Sequence, residues 1–313
     1  MGPLAPRDVL ADTLIALGEK NPNIVLVDAD FHPASKITPF RERFPDRFIQ
    51  VGIQEQNMMG ISAGLSTTGL IPFASTIAAF CSRRSCDQIT TSIALPHLNV
   101  KILGLYAGLF VGKNGASHQS LEDIAIMRAI GGMMVLQPAD AVETAAMIRF
   151  AASYQGPVYI RIGRDPVPQY VPDDYTFKPG KSVLLKQGSD ITLMTYGDLI
   201  GETIEAAGLL KEEGIEARVI NMSSIKPIDE EAIVNAAHET GRIITVDNHN
   251  IYGGLGSAVA EVVCEKAPVP VFRVGVKDVF GKSGTNEEMK AKFGLRAVDI
   301  NSAAHSLMDS RKV

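Results

Sequence analysis

The segment around Glu55 combines residues suited to acid–base chemistry. Glu55 lies in the stretch VGIQEQNMMG, which leads from a short strand into an apolar helix and places the carboxylate in the first turn of that helix. The helix dipole favours a carboxylate there, so a purely structural role is one interpretation. A proton shared with a ligand is the other. Two later stretches favour the second interpretation, since PFASTIAAF ends at the aromatic Phe80 and GKNGASHQSLEDIAIMRAI places His118 just before a helix.

Metal and nucleotide sites find less support in the residue spacing. Cys81 and Cys86 are close together, Cys264 is remote and the six histidines are scattered, so no pair has the spacing of zinc ligands. The glycine-rich stretch YGGLGS lacks the G-x-G-x-x-G spacing and follows no clear strand, which indicates a helix start without a bound phosphate. We therefore predict no metal site in this chain.

The candidate residues need a scaffold of alternating strands and helices. Short apolar runs, typical of parallel strands buried on both faces, alternate with amphipathic stretches of helical period. The predicted strands of the first part are 23–30, 70–76, 100–106, 133–140 and 157–164, and its predicted helices are 7–20, 55–68, 79–94, 121–129 and 141–153. This alternation predicts an α/β fold with a parallel sheet flanked by helices.

A break in the pattern divides the chain. Residues 166–189 are rich in proline and lack a helical period, so we predict an extended linker over the surface. Strand and helix patterns then resume in shorter succession over 190–313. The sequence thus predicts a first domain over 1–165 and a smaller α/β domain over 190–313.

Composition argues against several classes of protein. Of the 313 residues, 46% are hydrophobic and 21% are charged, which is typical of a globular chain and not of a disordered one. The formal charge of −5 argues against nucleic-acid binding by phosphate neutralisation. No apolar run approaches the roughly 18 residues of a membrane span, and the start of the chain does not resemble a secretory signal. Three cysteines without a disulfide pattern complete the prediction of a cytoplasmic protein.

Taken together, the motifs resemble the pyrimidine-binding domain of transketolases. The resemblance rests on the Glu-Gln-Asn-Met helix, the Ser-Thr-x-Ala-Ala-Phe segment, the Gly-x-x-Gly-x-x-His loop and the spacing between them. It continues through QPAD, GPVYIRIGR and NMSSIKPID and covers essentially the whole chain. Each motif alone is weak, and the set is specific. The resemblance implies a thiamine diphosphate pyrimidine-binding domain followed by a transketolase C-terminal domain.

The resemblance also implies roles for three residues around the cofactor thiamine diphosphate. In the family, a buried carboxylate hydrogen-bonds N1′ of the aminopyrimidine and promotes loss of a proton from the thiazolium ring, and Glu55 matches that carboxylate. Phe80 matches the aromatic platform of the pyrimidine, although core packing alone would also explain a phenylalanine there. Asp30 matches a carboxylate near the thiazolium ring.

Substrate contacts are implied for three further residues. His118 matches a loop histidine that contacts the substrate hydroxyl or carbonyl as proton donor or acceptor. Arg7 and Arg164 match the arginines that hold a sugar phosphate, and a guanidinium group suits a phosphate. The resemblance therefore predicts sugar phosphate substrates for this chain.

Substrate-reading positions depart from the family pattern. Tyr106 stands where a substrate-contacting histidine is usual, and Asn114 replaces an aspartate that reads a hydroxyl group. Ala34 replaces a phosphate-contacting serine, and the adjacent Ser35 is the residue that we expect to contact the substrate in its place. We therefore expect an altered sugar preference, in a ketose outside the standard pentose phosphate set.

The magnesium–diphosphate motif of the family has no good match in this chain. Gly197-Asp198 followed by Asn221 resembles it faintly, but Leu199 stands where a second glycine is expected. We therefore expect the C-terminal half of a split transketolase that transfers a two-carbon glycolaldehyde unit from a ketose phosphate to an aldose. Its partner would be an N-terminal-half subunit that binds most of the Mg²⁺, in an α₂β₂ heterotetramer.

Other functions remain open at this stage. The β subunit of a 2-oxo acid dehydrogenase has the same pair of domains, but its Asp-Phe segment is not seen, whereas the loop with His118 is transketolase-like. A 1-deoxyxylulose-5-phosphate synthase is a single fused chain. A non-catalytic assembly subunit would not need to keep Glu55, Phe80 and His118 together.

Overall fold

Two sheets organise the protein, for which a computed structural model describes residues 2–309. The strands are β1 (Ile24–Asp28), β2 (Phe48–Gln50), β3 (Ile71–Ile77), β4 (Lys101–Leu105), β5 (Met134–Leu136), β6 (Val158–Ile162), β7 (Val183–Lys186), β8 (Ile191–Thr195), β9 (Ala217–Asn221), β10 (Ser224–Lys226), β11 (Ile243–Asn250) and β12 (Val271–Val276). The first sheet has the order β10-β5-β6-β4-β3-β1-β2 and the second has the order β12-β11-β8-β9-β7. Only β10 and β7, at the edges, run antiparallel to their described neighbours.

Helices pack against both sheets. They are α1 (Leu10–Lys20), α2 (Thr38–Arg43), α3 (Glu55–Thr67), α4 (Cys86–Gln88), α5 (Asp123–Ala129), α6 (Ala141–Ser153), α7 (Ile200–Glu212), α8 (Glu230–Thr240), α9 (Leu255–Lys266), α10 (Asn286–Phe293) and α11 (Ala297–Asp309). The short α4 lies between two π-helical turns, Phe80–Arg84 and Ile89–Ala94. Within residues 2–309, no helix has the length and apolarity needed to cross a lipid bilayer.

The parallel strands of the first sheet bring several candidate residues to one side of the sheet. The neighbouring strands β6, β4, β3 and β1 are parallel, so their carboxyl ends meet on one side of the sheet. Arg164 follows β6, Tyr106 follows β4, Phe80 lies just after β3 and Asp30 follows β1. The α/β fold predicted from the alternating pattern is confirmed, and it gathers candidate residues that are far apart in sequence.

The two sheets share part of their core, and one strand from the second part of the chain joins the first sheet. One cluster of buried side chains contains Met58 and Val135 of the first part and Ile225 and Val259 of the second. β10 follows β9 of the second sheet in sequence and pairs with β5 of the first sheet. The second part of the chain is therefore packed tightly against the first.

Two local predictions differ from the structure. The predicted linker, 166–189, contains β7, which pairs with β9 as an edge strand of the second sheet and is only partly buried, so it lacks a strong apolar signal. The stretch YGGLGS does follow a strand, because it comes directly after β11. Its helix, α9, begins where the Asp247 carboxylate accepts a hydrogen bond from Leu255 N at 2.8 Å. That carboxylate occupies the position a phosphate would need.

Candidate active site

Glu55 is a buried carboxylate at the start of a helix. It is the first residue of α3, and only 1% of its surface is exposed. The unsatisfied N–H groups of the first turn favour a negative charge there. Its Oε2 accepts a hydrogen bond of 2.6 Å from Arg84 Nη1, a charge-assisted contact. Arg84, which the sequence analysis did not single out, therefore covers the carboxylate.

Phe80 and Arg84 begin and end the same π-helical turn. Residues four apart on a helical turn lie on one face, and Arg84 Cζ lies 4.5 Å from the centroid of the Phe80 ring. The guanidinium group thus contacts both the carboxylate of Glu55 and the aromatic ring of Phe80. Such π turns occur frequently at functional sites. The turn also holds buried Cys81, whose thiol pKa is raised by burial and by the nearby Asp123 and Glu55 carboxylates.

His118 lies beside the same aromatic ring. Its ring centroid is 5.1 Å from that of Phe80, in an edge-to-face arrangement. Its Nδ1 lies 3.0 Å from Ser117 Oγ. Arg83 donates a hydrogen bond of 2.9 Å to the Ser117 carbonyl and pairs with Glu122 at 2.9 Å. The structure therefore places Glu55, Phe80 and His118 in one series of contacts, through Arg84 and the Phe80 ring.

The second domain supports the loop that carries His118. Gln119 Nε2 donates hydrogen bonds to the carbonyls of Leu109 at 3.1 Å and Lys282 at 2.9 Å. Gly115 has φ +80°, and a Cβ at this position would lie 2.6 Å from Ser283 Oγ. The loop therefore requires glycine at this point, both for its backbone and for the close approach of the second domain.

A second cluster surrounds Tyr106. Arg7 and Arg164 each place Cζ 5.0 Å from the centroid of the Tyr106 ring. Arg7 Nη1 donates hydrogen bonds to the Tyr106 hydroxyl and to the Ala34 carbonyl, while Arg164 Nη1 donates to the Val111 carbonyl at 2.5 Å. Arg7 Nε is buried and has no hydrogen-bond partner within residues 2–309, although the Asp8 carboxylate lies 4.0 Å from it. Two cations and an unsatisfied donor make this cluster suitable for an anion.

Tyr106 has a backbone conformation that is rare for a residue with a side chain. Its φ is +57°, and its ring packs edge-on against Phe31 at a centroid distance of 5.0 Å. Its hydroxyl lies 3.0 Å from the Ala34 carbonyl. Strained residues of this kind are concentrated at functional sites.

The remaining predicted residues lie outside these two clusters of contacts. Ser35 is fully buried, and its hydroxyl donates to the carbonyls of Phe31 at 3.1 Å and His32 at 3.3 Å. That use of the hydroxyl contradicts the predicted substrate contact, because a buried serine cannot replace the missing one at Ala34. Asp30 and Asn114 are exposed.

Asp28 orders the loop between β1 and α2, and sequence reasoning missed it. It is fully buried, and its Oδ2 accepts hydrogen bonds from Phe31 N at 2.9 Å, His32 N at 3.2 Å and Gln50 Nε2 at 2.8 Å. The available signal was a carboxylate as the last residue of an apolar strand, where only hydrogen bonding can compensate for burial.

A buried ion pair fixes the strand that precedes Arg164. Arg161 and Asp123 are both fully buried and are joined by a hydrogen bond of 2.8 Å between Nε and Oδ2. Burial alone would raise the pKa of Asp123, but the Arg161 guanidinium lowers it overall. Arg161 also donates to the carbonyl of Asn248 at 2.8 Å, which ties the first sheet to the second domain.

The residues that faintly resemble the magnesium–diphosphate motif, Asp198 and Asn221, make hydrogen bonds to other side chains of the protein. Asn221 Nδ2 donates to Glu143 at 3.1 Å, and Asp198 accepts from Asn248 Nδ2 at 3.4 Å. Burial raises the pKa of Asp198 to about 6. Within residues 2–309, no group of three or more His, Cys, Asp or Glu side chains is arranged to hold a metal ion.

Known proteins resemble the chain over both parts. Residues 3–169 match the model of the transketolase pyrimidine-binding domain, and residues 180–300 match that of the transketolase C-terminal domain. The chain is 42% identical over 305 residues to the 6-deoxy-6-sulfo-D-fructose transketolase subunit SqwH of Clostridium sp. (strain MSTE9), covering 97% of this chain and 95% of that protein. It is 41% identical over 293 residues to an apulose-4-phosphate transketolase subunit of Phocaeicola vulgatus, covering 93% of this chain and 94% of that protein.

A solved structure agrees with these matches. A split gene transketolase, described as an inactive beta4 tetramer, superposes with a TM-score of 0.90 at 46% identity and covers 98% of each chain. Family models, relatives and fold thus agree with the motifs around Glu55 and His118. The chain belongs to the transketolase family.

Proposed function

We propose that the chain is the C-terminal-half subunit of a split, thiamine diphosphate-dependent transketolase. The observation that carries this proposal is the buried carboxylate of Glu55. The Arg84 guanidinium contacts both this carboxylate and the Phe80 ring, and the His118 ring packs against Phe80. Among the relatives, the names of SqwH and of the apulose-4-phosphate enzyme both denote subunits of transketolases.

The residues around Glu55 fit an aminopyrimidine ring. The guanidinium of Arg84 is a planar cation, and it already makes a hydrogen bond to the carboxylate and a contact with the aromatic ring. A protonated aminopyrimidine is also planar and has an N–H donor in its plane. We therefore assign N1′ to Glu55 and one ring face to Phe80. The diphosphate and its Mg²⁺ we assign mainly to the N-terminal-half subunit.

Each side chain then has a task. Bound thiamine diphosphate supplies the nucleophilic carbon that accepts the two-carbon unit. Glu55 shares a proton at N1′ of the pyrimidine, and burial excludes water from that contact. His118 donates or accepts a proton at the substrate oxygen, and the second domain fixes its loop through Gln119. Asp30, which is exposed after β1, would contact the cofactor near its thiazolium ring.

Arg7 and Arg164 bind the terminal anion of the substrate. Both guanidinium groups lie against one ring, that of Tyr106, and Arg7 Nε is a donor that an anion could pair. The two relatives carry the names of a sulfonated ketose and of apulose 4-phosphate, so both names specify an anionic group. We infer an anionic ketose outside the standard pentose phosphate set, with Asn114 and Tyr106 reading its hydroxyl groups.

Two copies of the chain and two partner subunits form the active α₂β₂ assembly in this proposal. The diphosphate carries most of the charge by which a protein binds the cofactor. In this proposal the residues that bind the diphosphate and its Mg²⁺ belong mainly to the partner subunit, so the chain alone binds the cofactor poorly. Alone, the purified chain should show no turnover with thiamine diphosphate and Mg²⁺.

Reconstitution tests the proposal. The chain is mixed with its N-terminal-half partner, and turnover is measured on ketose phosphates, a sulfonated ketose and pyruvate, with an aldose acceptor. Transfer of a two-carbon unit from an anionic ketose supports the proposal. Turnover of pyruvate alone, or full activity of a 1:1 heterodimer in light scattering, would contradict the reaction or the assembly respectively.

A further inference from the structure

Arg84 occupies the approach to both groups that the proposed function assigns to the pyrimidine ring. Its side chain is 46% exposed, whereas the Glu55 side chain beneath it is 1% exposed. Nη1 lies 2.6 Å from Glu55 Oε2, and Cζ lies 4.5 Å from the centroid of the Phe80 ring. A ring that reached Glu55 while stacked on Phe80 would therefore meet the guanidinium first.

The position of Arg84 follows from the local backbone and not from a general excess of charge. Residues 80 and 84 lie on one face of the π-helical turn, which places the guanidinium over the ring. The adjacent Arg83 points elsewhere, to Glu122 and to the carbonyl of Ser117. Two neighbouring arginines thus have different partners, and only Arg84 contacts Glu55 among the described ion pairs.

We propose that Arg84 holds the place of the aminopyrimidine in the separated subunit and is displaced when the cofactor binds. This inference rests on the proposed function of Glu55. The guanidinium keeps the buried carboxylate paired, since an unpaired buried charge is costly. When the ring arrives, its N–H replaces that of Arg84, and the half-exposed guanidinium moves into water at little cost. Binding is then an exchange of donors, and Arg84 competes with the cofactor.

Thiamine binding to the full chain tests this exchange. Thiamine has the aminopyrimidine but no diphosphate, so its affinity reports on this half of the site without the partner subunit. Saturation-transfer NMR at pH 7 gives the dissociation constant. We expect Arg84→Met to bind thiamine about twofold to fivefold more tightly than the wild type, which corresponds to the upper part of the range for an exposed ion pair.

Arg43→Met is the matched control. Arg43 also pairs with a glutamate, Glu19 at 3.2 Å, and also lies over a phenylalanine ring, that of Phe44 at 5.1 Å. It lies on α2, and among residues 2–309 no hydrogen bond or ion pair joins it to Glu55. Removal of the Arg43 guanidinium should leave the affinity of the chain for thiamine unchanged. Arg84→Gln serves if Arg84→Met fails to fold, as judged by circular dichroism.

Glu55→Gln separates this inference from the proposed function. Loss of thiamine binding in Glu55→Gln, together with tighter binding in Arg84→Met, supports both. Loss in Glu55→Gln without a gain in Arg84→Met overturns the inference alone, and weaker binding in Arg84→Met would show that Arg84 positions Glu55 instead of blocking it. Unchanged binding in Glu55→Gln would remove the proposed role of Glu55, and the inference with it.

Discussion

The protein contains two arginine–carboxylate pairs of similar length and opposite setting. Arg161 pairs with Asp123 at 2.8 Å, and Arg84 pairs with Glu55 at 2.6 Å. Both carboxylates are buried. The Arg161 side chain is 0% exposed, whereas that of Arg84 is 46% exposed. The chemistry of the two pairs is the same, and their accessibility differs completely.

The surroundings turn this difference into two functions. Arg161 also donates to Gln137 at 2.7 Å and to the carbonyls of Ser120 and Asn248, so its guanidinium is held on several sides and cannot move. Arg84 is half exposed, as the proposed exchange of its partner requires. A buried pair whose hydrogen-bonding groups all have partners holds the surrounding elements in place. In a half-exposed pair beside a candidate cofactor site, a ligand can take the place of one partner.

Glu55→Gln should produce the largest effect on activity. The amide keeps the shape of the carboxylate but cannot share a proton at N1′ in the same way. We expect kcat of the reconstituted enzyme to fall by about 10²- to 10⁴-fold, the usual contribution of acid–base catalysis. Folding and assembly with the partner should persist, as measured by circular dichroism and light scattering. A near-normal rate would show that Glu55 only stabilises the start of α3.

Asp123→Asn should produce the largest effect on stability. It leaves the Arg161 guanidinium buried without a counter-charge, and such losses destabilise proteins by about 3–5 kcal/mol. The free energy of unfolding is measured by urea titration. Arg84→Met is the comparison, with an expected change below about 1 kcal/mol, because Arg84 is half exposed and its truncation opens the Glu55 carboxylate beneath it to water. Equal losses in the two variants would remove the distinction between the pairs.

The arginines at Tyr106 extend the comparison to the substrate. Tyr106→His combined with Asn114→Asp restores the groups usual in the family. An amide both donates and accepts hydrogen bonds, whereas a carboxylate only accepts, so the two forms prefer different hydroxyl patterns. We expect kcat/KM for xylulose 5-phosphate with ribose 5-phosphate to rise about tenfold.

Arg7 and Arg164 are unchanged in that double variant, although Arg7 Nη1 loses the Tyr106 hydroxyl as an acceptor. The measurement is made on the reconstituted enzyme and is repeated with a sulfonated ketose, for which kcat/KM should fall. The inferred sugar preference would be contradicted if the wild type already had the kcat/KM of an ordinary transketolase for xylulose 5-phosphate and the double variant did not increase it.

Lys101 is a buried amine without a carboxylate partner among residues 2–309, and its effect on stability should depend on pH. Its Nζ donates to the carbonyls of Tyr154 at 2.8 Å and Gly156 at 2.7 Å, and burial lowers its pKa to about 7. Between pH 7 and its unfolded pKa, the unfolded chain binds one more proton than the native chain, so stability rises with pH. The slope is at most about 1.4 kcal/mol per pH unit.

Lys101→Met removes this contribution and keeps the length of the side chain. The difference in unfolding free energy between wild type and variant should therefore change over pH 7–10, with the wild type gaining stability as pH rises. A constant difference over that range would show that Lys101 stays charged in the folded protein.

Much of the fold follows from local patterns. The apolar run of β1 and the amphipathic run of α6 mark a buried parallel strand and its helix, and both form as predicted. Partly buried edge strands escape such a pattern. The sequence predicts a linker where β7 forms, and it does not indicate β10. Each of these strands forms by pairing with a strand distant in sequence, and neither has a strong local hydrophobic period.

The sequence by itself determined the residue types and spacings that identify the family, and with them Glu55, Phe80 and His118 as candidates. Only the tertiary structure decided which side chains meet. It buried the hydroxyl of Ser35, and it placed Arg84 over Glu55 and Phe80. The reason is physical. Composition and periodicity fix which face of an element is buried, whereas the partner of a charged group depends on the register and crossing of elements distant in sequence.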